Sequence, residues 1–173
     1  LAEGKAVRLP RSVEEALLAV QNMMVDNQFG EAGSKILIQQ RLLGTEVSVI
    51  ALVSNEIEIL PLVKDYKRAN DGDTGPNTGG MGAYSPTEYI SAQDLSEIYH
   101  TILLPAKNGM IEEGTPFIGT LYAGIMMTEK GPQVLEYNVR FGDPETQVQM
   151  RLIGENLLGL MRRTIKGRLG KGQ

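Results

Sequence analysis

The amino-acid sequence predicts an α+β domain, and three patterns lead to this class. An amphipathic helical stretch starts after Ser12, and three β-rich segments follow it. Further along, TLYAGIMMT and QVLEYNV are strand-like runs separated by a Lys130-Gly131 turn, which predicts an antiparallel hairpin. We expect an N-terminal lobe over residues 1–60, with its start missing, and a C-terminal lobe over residues 61–173.

The first half of the chain begins with a helix and continues with strands. Ser12 and Glu15 match a capping box, and we expect the helix that follows to end near Phe29-Gly30. The next segments, KILIQQRL, TEVSVIALV and EIEILPLV, are β-rich, and Asn55 supplies a turn between the last two. Apolar residues of TEVSVIALV fall on both alternating sets, so we predict a strand that is partly covered on both faces.

Residues 64–86 interrupt these periodic patterns. The stretch is rich in glycine and polar residues, and we expect a long loop without regular structure, which in a compact domain is usually functional or mobile. Helical periodicity returns over residues 94–114, where Pro105 should kink or interrupt the helix. The sequence predicts a final amphipathic helix whose apolar face contains Leu157, Leu158, Met161 and Ile165.

Composition narrows the class of protein. The chain has 173 residues, of which 42% are hydrophobic and 22% charged, values in the ordinary globular range. A net charge of −4 argues against nucleic acid as a partner, and no apolar run is long enough to cross a membrane. The sequence contains no cysteine, which excludes disulfides and thiolate chemistry and fits a reducing compartment such as the cytoplasm.

The segment EYNVRFGDPETQ carries the strongest candidate chemistry. Strand periodicity puts Glu136, Asn138 and Arg140 on one face. Carboxylate and amide oxygens suit magnesium, which takes one or two protein ligands beside phosphates and water, and an arginine can neutralise phosphate. The alternative is a half-exposed strand with solvated polar side chains. Because that alternative does not account for the Gly-Asp-Pro turn at Asp143, we favour a metal and phosphate site.

The glycine-rich segment GDTGPNTGGMG is a second candidate. Consecutive glycines let backbone N–H groups approach an anion, although many surface loops also carry glycine. Asp65, Lys67 and Arg68 precede the segment and favour a phosphate-binding flap. The segment matches neither the Walker pattern nor G-x-G-x-x-G after a strand. Spacing alone assigns no site to other polar positions, which fit a turn or an exposed hairpin: Lys5, Gln39, Gln40, Leu42 and Glu46.

Together, DYKRANDGDTGPNTGGMGAYSP, LYAGIM and LEYNVRFGDPETQ resemble the phosphoribosylamine–glycine ligase family, the glycinamide ribonucleotide synthetases of purine biosynthesis. The resemblance runs through almost the whole chain. It implies the ATP-grasp fold, in which two lobes with antiparallel sheets enclose the nucleotide cleft. It also implies ATP and Mg²⁺ or Mn²⁺ as cofactors, and glycine and 5-phosphoribosylamine as small-molecule substrates. It further implies that the family's N-terminal and C-terminal domains are missing from this chain.

The same resemblance implies roles for individual residues. The implied metal ligands are Glu136 and Asn138. The residues implied to contact ATP are Lys5 in a glycine-rich loop, Gln39, Gln40 and Leu42 at adenine, Glu46 at the ribose, and Arg68 and Asn77 near the phosphates. The residues implied to surround glycine and its activated form are Asp65, Lys67, Arg140 and Asp143.

The implied reaction has two steps. ATP phosphorylates the carboxylate of glycine, and the amine of phosphoribosylamine then displaces phosphate to give glycinamide ribonucleotide. An acyl phosphate needs charge neutralisation rather than a nucleophilic side chain, and no such nucleophile is evident in the sequence. Two alternatives stay open: an isolated fragment that binds Mg-ATP, and a non-catalytic ATP-grasp module. The chain departs from the family pattern at Ala6, Gln39, Gln40 and Lys64.

Overall fold

The computed structural model describes residues 7–72 and 74–170, which belong to two compact units that divide between Arg41 and Leu42. The expected lobe boundary after residue 60 falls inside the second unit, and the assignment of the two lobes stays a prediction. Lys5 and Ala6 lie outside the described residues.

The first unit contains the predicted N-terminal helix. Helix α1 spans Val13–Val20, and the Ser12 hydroxyl caps it by accepting a hydrogen bond from the Glu15 backbone N–H at 3.2 Å. The Glu15 carboxylate accepts in return from the backbone N–H of Arg11, one residue before the cap, at 2.7 Å. A π-helical turn over Gln21–Val25 follows α1 directly. The helical stretch therefore ends at Val25, a few residues before the predicted end near Phe29-Gly30.

The segment KILIQQRL, residues 35–42, is not a strand, and that prediction is wrong. Leu37 and Ile38 are 80% and 83% exposed. A strand is stable only when neighbouring strands take up its backbone hydrogen bonds, and none of the described β-ladders includes this segment. Local β-propensity is therefore not sufficient here.

The second unit contains two antiparallel sheets, which confirms the α+β class. Its described strands are β1 Thr45–Val53, β2 Ile57–Ile59, β3 Lys64–Asn70, β4 Thr74–Tyr84, β5 Gly119–Thr128 and β6 Gly131–Asn138. Four of them form one sheet in the order β2-β1-β5-β6, and β3 pairs with β4 in the other. The predicted hairpin of TLYAGIMMT and QVLEYNV is confirmed as β5 and β6.

The second unit also contains four described α-helices, of which two lie between β4 and β5 and two follow β6. Their bounds are α2 Ala92–Ile98, α3 Leu104–Glu112, α4 Glu145–Leu152 and α5 Leu157–Ile165. A π-helical turn over Tyr99–Leu103 connects α2 to α3, so the irregular turn ends two residues before Pro105. Within the described ranges, no helix has the length and apolar character needed to cross a membrane.

Apolar side chains cover both faces of the four-stranded sheet, as the sequence predicts for β1. Val49 on one face belongs to a buried cluster with Ile98 at the end of α2. Ile50 on the opposite face belongs to a second cluster with Leu160 of α5. Alternate residues of β1 thus pack into two different cores. The polar residues of this strand lie near its N-terminal end.

The buried face of α5 differs from the predicted one. Leu160 and Thr164 are 1% and 3% exposed, whereas Leu158 and Ile165 are 63% and 72% exposed. The prediction was wrong for Leu158 and Ile165, because several apolar sets on this helix satisfy a helical period and only contact with the sheet selects one.

Residues 64–86 are not a structureless loop, and that prediction is also wrong. Strands β3 and β4 form an antiparallel pair with irregular register around Arg68, and we call this pair the flap hairpin. The prediction failed because it relied on alternating apolar side chains. The hydrogen bonds of a β-ladder are made by the backbone and form without such a pattern. Gly80 has a φ of +127°, a conformation that L side chains rarely adopt.

Candidate functional site

The predicted metal residues lie on one face of the four-stranded sheet. The register pairs Glu136 with Gly124, and Asn138 with Tyr122. Gly124 also pairs with Ser48 of β1. Because directly paired residues of neighbouring strands share a face, Ser48, Gly124 and Glu136 form one row, and Tyr122 and Asn138 lie in the next.

Glu136 and Asn138 approach each other closely. The Asn138 amide donates from Nδ2 to Oε1 of Glu136 at 3.1 Å. The Glu136 Cγ lies 3.3 Å from the position that a Cβ on Gly124 would occupy, so the missing side chain of Gly124 makes room for Glu136.

This pair fits a divalent cation that is also bound by a ligand. In the described part of the chain, no three or more His, Cys, Asp or Glu side chains are grouped so that they could hold a metal ion by themselves. Magnesium usually takes only one or two protein oxygens and completes its shell with phosphate oxygens and water. The donor set of Glu136 and Asn138 therefore fits a metal–nucleotide complex better than a metal cage made of protein alone.

Arg140 lies beyond the end of β6, next to this face. Its guanidinium carbon is 5.8 Å from the ring centroid of Tyr122, and its Nη1 donates to the backbone oxygen of Phe141 at 3.0 Å. Asp143 is exposed and accepts a hydrogen bond from Nε2 of Gln147 at 2.7 Å. The structure thus brings the Arg140 cation to the row that contains Asn138.

The flap hairpin places a second set of charges at β1. Lys67 forms an ion pair with the carboxylate of Glu46, and the two side chains are 29% and 37% exposed. Lys64, at the start of β3, also contacts Glu46. Its ammonium group donates to the backbone oxygen of Glu46 at 3.3 Å and lies 4.8 Å from the ring centroid of Tyr89.

Asp65 has an unusual electrostatic environment. Its Oδ1 atom is buried and has no hydrogen-bond partner among the described residues. Burial, and next the negative charge of Glu145, raise the pKa of Asp65 to about 6, although the Lys67 ammonium favours the charged form. A carboxylate with an unsatisfied buried oxygen is suited to accept a hydrogen bond from a cationic ligand.

Sequence reasoning missed a buried hydrogen-bond chain beneath this site. The Tyr122 hydroxyl is hydrogen-bonded to the Ser48 hydroxyl and donates to Oε1 of Glu145 at 2.8 Å. Tyr122 is 5% and Glu145 2% exposed, and burial raises the pKa of the Tyr122 phenol above its ordinary value. The sequence did contain one indication of this hydrogen-bond chain, namely a tyrosine within a buried, aliphatic strand. A buried tyrosine hydroxyl needs a hydrogen-bond partner.

The remaining predicted ATP residues do not form a described cluster, and their roles stay predictions. Arg68 is exposed and donates from Nη1 to the backbone oxygen of Gly75 at 2.7 Å. The backbone of Asn77 pairs with Arg68, and its side chain lies outside the described part of the structure. Gln39 and Gln40 are exposed in the first unit, whereas Leu42 is half-buried in the second.

Comparison with known proteins identifies first the class and then the family. The chain is similar to the crystal structure of phosphoribosylamine–glycine ligase from Thermotoga maritima, with a TM-score of 0.79, 37% identity, and coverage of 96% of this chain and 42% of that chain. The family model described as phosphoribosylglycinamide synthetase, ATP-grasp (A) domain, matches residues 1–146. The fold is therefore that of an ATP-grasp domain. The chain belongs to the phosphoribosylglycinamide synthetase family.

Curated relatives agree with this assignment. The chain is 48% identical over 163 residues to phosphoribosylamine–glycine ligase of Listeria monocytogenes, covering 93% of this chain. It is 45% identical over 170 residues to the enzyme of the same name from Rhodopirellula baltica, covering 98% of this chain. In both comparisons the chain spans 39% of the relative's length.

Proposed function

We propose that this chain supplies the ATP-binding and phosphoryl-transfer site of a cytoplasmic phosphoribosylamine–glycine ligase of purine biosynthesis. The observation that carries the proposal is the shared sheet face, on which Glu136 and Asn138 meet beside the Arg140 cation. Family membership supports the same reaction. In that reaction the γ-phosphoryl group of ATP passes to the glycine carboxylate, and the amine of 5-phosphoribosylamine then displaces phosphate.

Glu136 and Asn138 hold Mg²⁺ or Mn²⁺ in this proposal, and the bound ion shields the charge of the ATP phosphates. Arg140 binds the γ-phosphoryl oxygens with its planar guanidinium and neutralises the acyl phosphate that results. The site needs no nucleophilic side chain, because the glycine carboxylate itself attacks phosphorus.

Asp65 and Lys67 act on glycine. Oδ1 of Asp65, which has no hydrogen-bond partner among the described residues, accepts a hydrogen bond from the glycine ammonium group. This positive charge favours the ionised form of Asp65. Lys67 attracts the glycine carboxylate, and Asp143 borders the same region. Gln39, Gln40 and Leu42 contact adenine and Glu46 contacts the ribose. Lys5 belongs to a glycine-rich loop that closes over the nucleotide, and Arg68 and Asn77 lie near the phosphates.

A chimera tests the complete reaction. In this chimera, the aligned part of this chain replaces the matching 163-residue segment of the Listeria monocytogenes relative. The rest of the relative is unchanged. With Mg-ATP, glycine and 5-phosphoribosylamine, we expect release of ADP and phosphate that depends on both other substrates. Glu136→Ala with Asn138→Ala should abolish this release, whereas Glu129→Ala, in the turn between β5 and β6, should not.

The chimera also separates the proposal from its alternative. The chain spans only 39% of its relatives, which makes an isolated Mg-ATP-binding fragment the second candidate. A folded chimera that binds Mg-ATP but releases no ADP would contradict the ligase proposal and support that fragment.

A further inference from the structure

Three contacts made by the buried Tyr122 link different parts of the site. Its hydroxyl is hydrogen-bonded to Ser48 on β1 and donates to Glu145 at the start of α4. Its ring faces the guanidinium of Arg140, which lies after the end of β6. Tyrosine combines an aromatic face with a hydroxyl on one rigid ring, so the two kinds of contact are held in a fixed relation.

The hydroxyl fixes the beginning of α4. Glu145 is almost fully buried, and its carboxylate needs hydrogen-bond donors because burial without them is unfavourable. The other carboxylate oxygen, Oε2, lies 2.5 Å from the position that a Cβ on Gly142 would occupy. The glycine therefore lets the Glu145 carboxylate fit directly beneath the turn that carries Asp143.

The ring supports a cation that is otherwise exposed. Arg140 is a long, exposed side chain, and its described hydrogen bond goes to the backbone of the next residue. Such a contact leaves most of the side chain free to change rotamer. A cation over an aromatic face is stabilised electrostatically, and more strongly when the pair is desolvated.

We propose that Tyr122 is a positioning residue, which holds the Arg140 guanidinium and the Asp143 turn against the sheet face of Glu136 and Asn138. The role concerns how the site is held together. It rests on the proposed function only for the identity of the ligand, the γ-phosphate of ATP.

Nuclear magnetic resonance of the 173-residue chain tests the ring contact without any ligand. The Arg140 Nε–Hε signal is identified as the one that disappears in Arg140→Met. We expect this proton to be shifted upfield by the ring, to stay so in Tyr122→Phe, and to move to the ordinary arginine position in Tyr122→Leu. A signal at the ordinary position in the unsubstituted chain would overturn the proposal, even if Tyr122→Leu does not fold.

Hydrogen exchange tests the hydroxyl contact in Tyr122→Phe, which keeps the ring. Loss of a hydrogen bond to a buried carboxylate should speed amide exchange in the first turn of α4 by about tenfold or more, while β5 stays protected. Unchanged exchange in α4 would contradict this part of the proposal.

A double-mutant cycle on Mg-ATP affinity tests positioning as such. Tyr122→Leu should raise the Kd by about two- to thirtyfold, but by less than about twofold in the Arg140→Met background, because the ring acts through Arg140. Mg-ADP lacks the γ-phosphate, so its Kd should change little, and Tyr99→Leu controls for loss of a ring elsewhere. Additive effects in the cycle would overturn the proposal. If the unsubstituted chain binds no Mg-ATP, the proposed function fails and the ligand-free resonance still decides the role of Tyr122.

Discussion

The raised pKa of Asp65 indicates which ligand charge this residue favours. Its raised pKa has two main causes, burial and the neighbouring Glu145 carboxylate, opposed by Lys67. Glu46 and Lys64 also face it, with opposite signs. An ionised Asp65 is thus unfavourable in the free chain and favourable beside a cation, which is the behaviour expected of a residue that binds an ammonium group.

Asp65→Asn should change the pH dependence of stability. The folded-state pKa of about 6 lies above the ordinary value of 3.8, so the folded state holds the proton more tightly. The stabilising contribution of the protonated group is complete below pH 3.8, falls as the pH rises, and is lost above about 6. We expect Asp65→Asn to be more stable than the parent chain at neutral pH by about 1–2 kcal/mol, after allowance for partial exposure.

Urea unfolding at a series of pH values measures this effect. Asp94→Asn is a control of opposite sign, because hydrogen bonds from Ser91 lower the pKa of Asp94. That contribution is present above pH 3.8 and is lost as the pH falls through the lowered pKa. If Asp65→Asn and the parent chain had parallel stability curves from pH 4 to pH 7, the raised pKa of Asp65 would be wrong.

Gly124→Ala should disturb the metal pair with little effect on the core. The added Cβ would lie 3.3 Å from the Glu136 Cγ, so Glu136 must move by a few tenths of an ångström. We expect weaker Mg-ATP binding in calorimetry, by about three- to tenfold, as small displacements at a site are costly. Gly109→Ala, where nothing lies within 4 Å, is the control, and equal affinities in the two variants would contradict the assigned row.

At the scale of elements, the flap hairpin is held against the turn that precedes α4. A Cβ on Gly80 would lie 2.5 Å from the Cδ of Pro144 and 3.4 Å from Oδ1 of Asp65. Glycine at this point in β4 therefore permits close packing as well as a positive φ. The contact relates Asp65 and the Asp143 turn, two parts of the site that are far apart in sequence.

Gly80→Ala should loosen this packing. Because both the φ angle and the Pro144 contact disfavour a side chain, we expect a loss of about 1–3 kcal/mol in the free energy of unfolding, together with weaker Mg-ATP binding. Gly82→Ala lies on the same strand with nothing within 4 Å and should be tolerated. Similar stability for both variants in urea unfolding would show that Gly80 is not a constrained contact.

Elements with strong local patterns were predictable, and those that depend on pairing were not. The Ser12 cap and the β5–β6 hairpin were found from sequence, because side-chain periodicity and turn residues specify them locally. The flap hairpin was missed because its ladder is formed by the backbone of a polar, charged strand and a glycine-rich strand, neither of which alternates apolar residues. The opposite error arose at residues 35–42, where β-forming residues have no described pairing partner.

The candidate site was predictable only in part. Glu136 and Asn138 were placed together by strand alternation, and their hydrogen bond agrees with that placement. The hydrogen bond between Tyr122 and Glu145 was missed, since it crosses 23 residues of sequence and appears only when β5 and α4 pack together. Motifs thus indicated the polar side chains of the candidate site but not the buried hydrogen bond beneath them.

At the scale of the whole molecule, the four-stranded sheet supports the candidate site on part of one of its faces. Apolar clusters cover both faces of the sheet, and the polar rows lie on the face that also carries Ile50 and Tyr122. The charged side chains of Lys67, on the flap hairpin, and of Arg140, after β6, lie against that face. This face thus carries carboxylate and amide oxygens as well as cations, the groups that binding of a metal–nucleotide complex would require.

Titration calorimetry of the 173-residue chain with Mg-ATP tests this central claim most directly. We predict saturable binding at one site, with affinity reduced by about tenfold or more, equivalent to about 1.4 kcal/mol, in Glu136→Ala with Asn138→Ala. Glu129→Ala should bind as the parent chain does, because it lies in the turn between β5 and β6. Absence of Mg-ATP binding by the folded parent chain, or equal affinity in the double variant, would contradict the account.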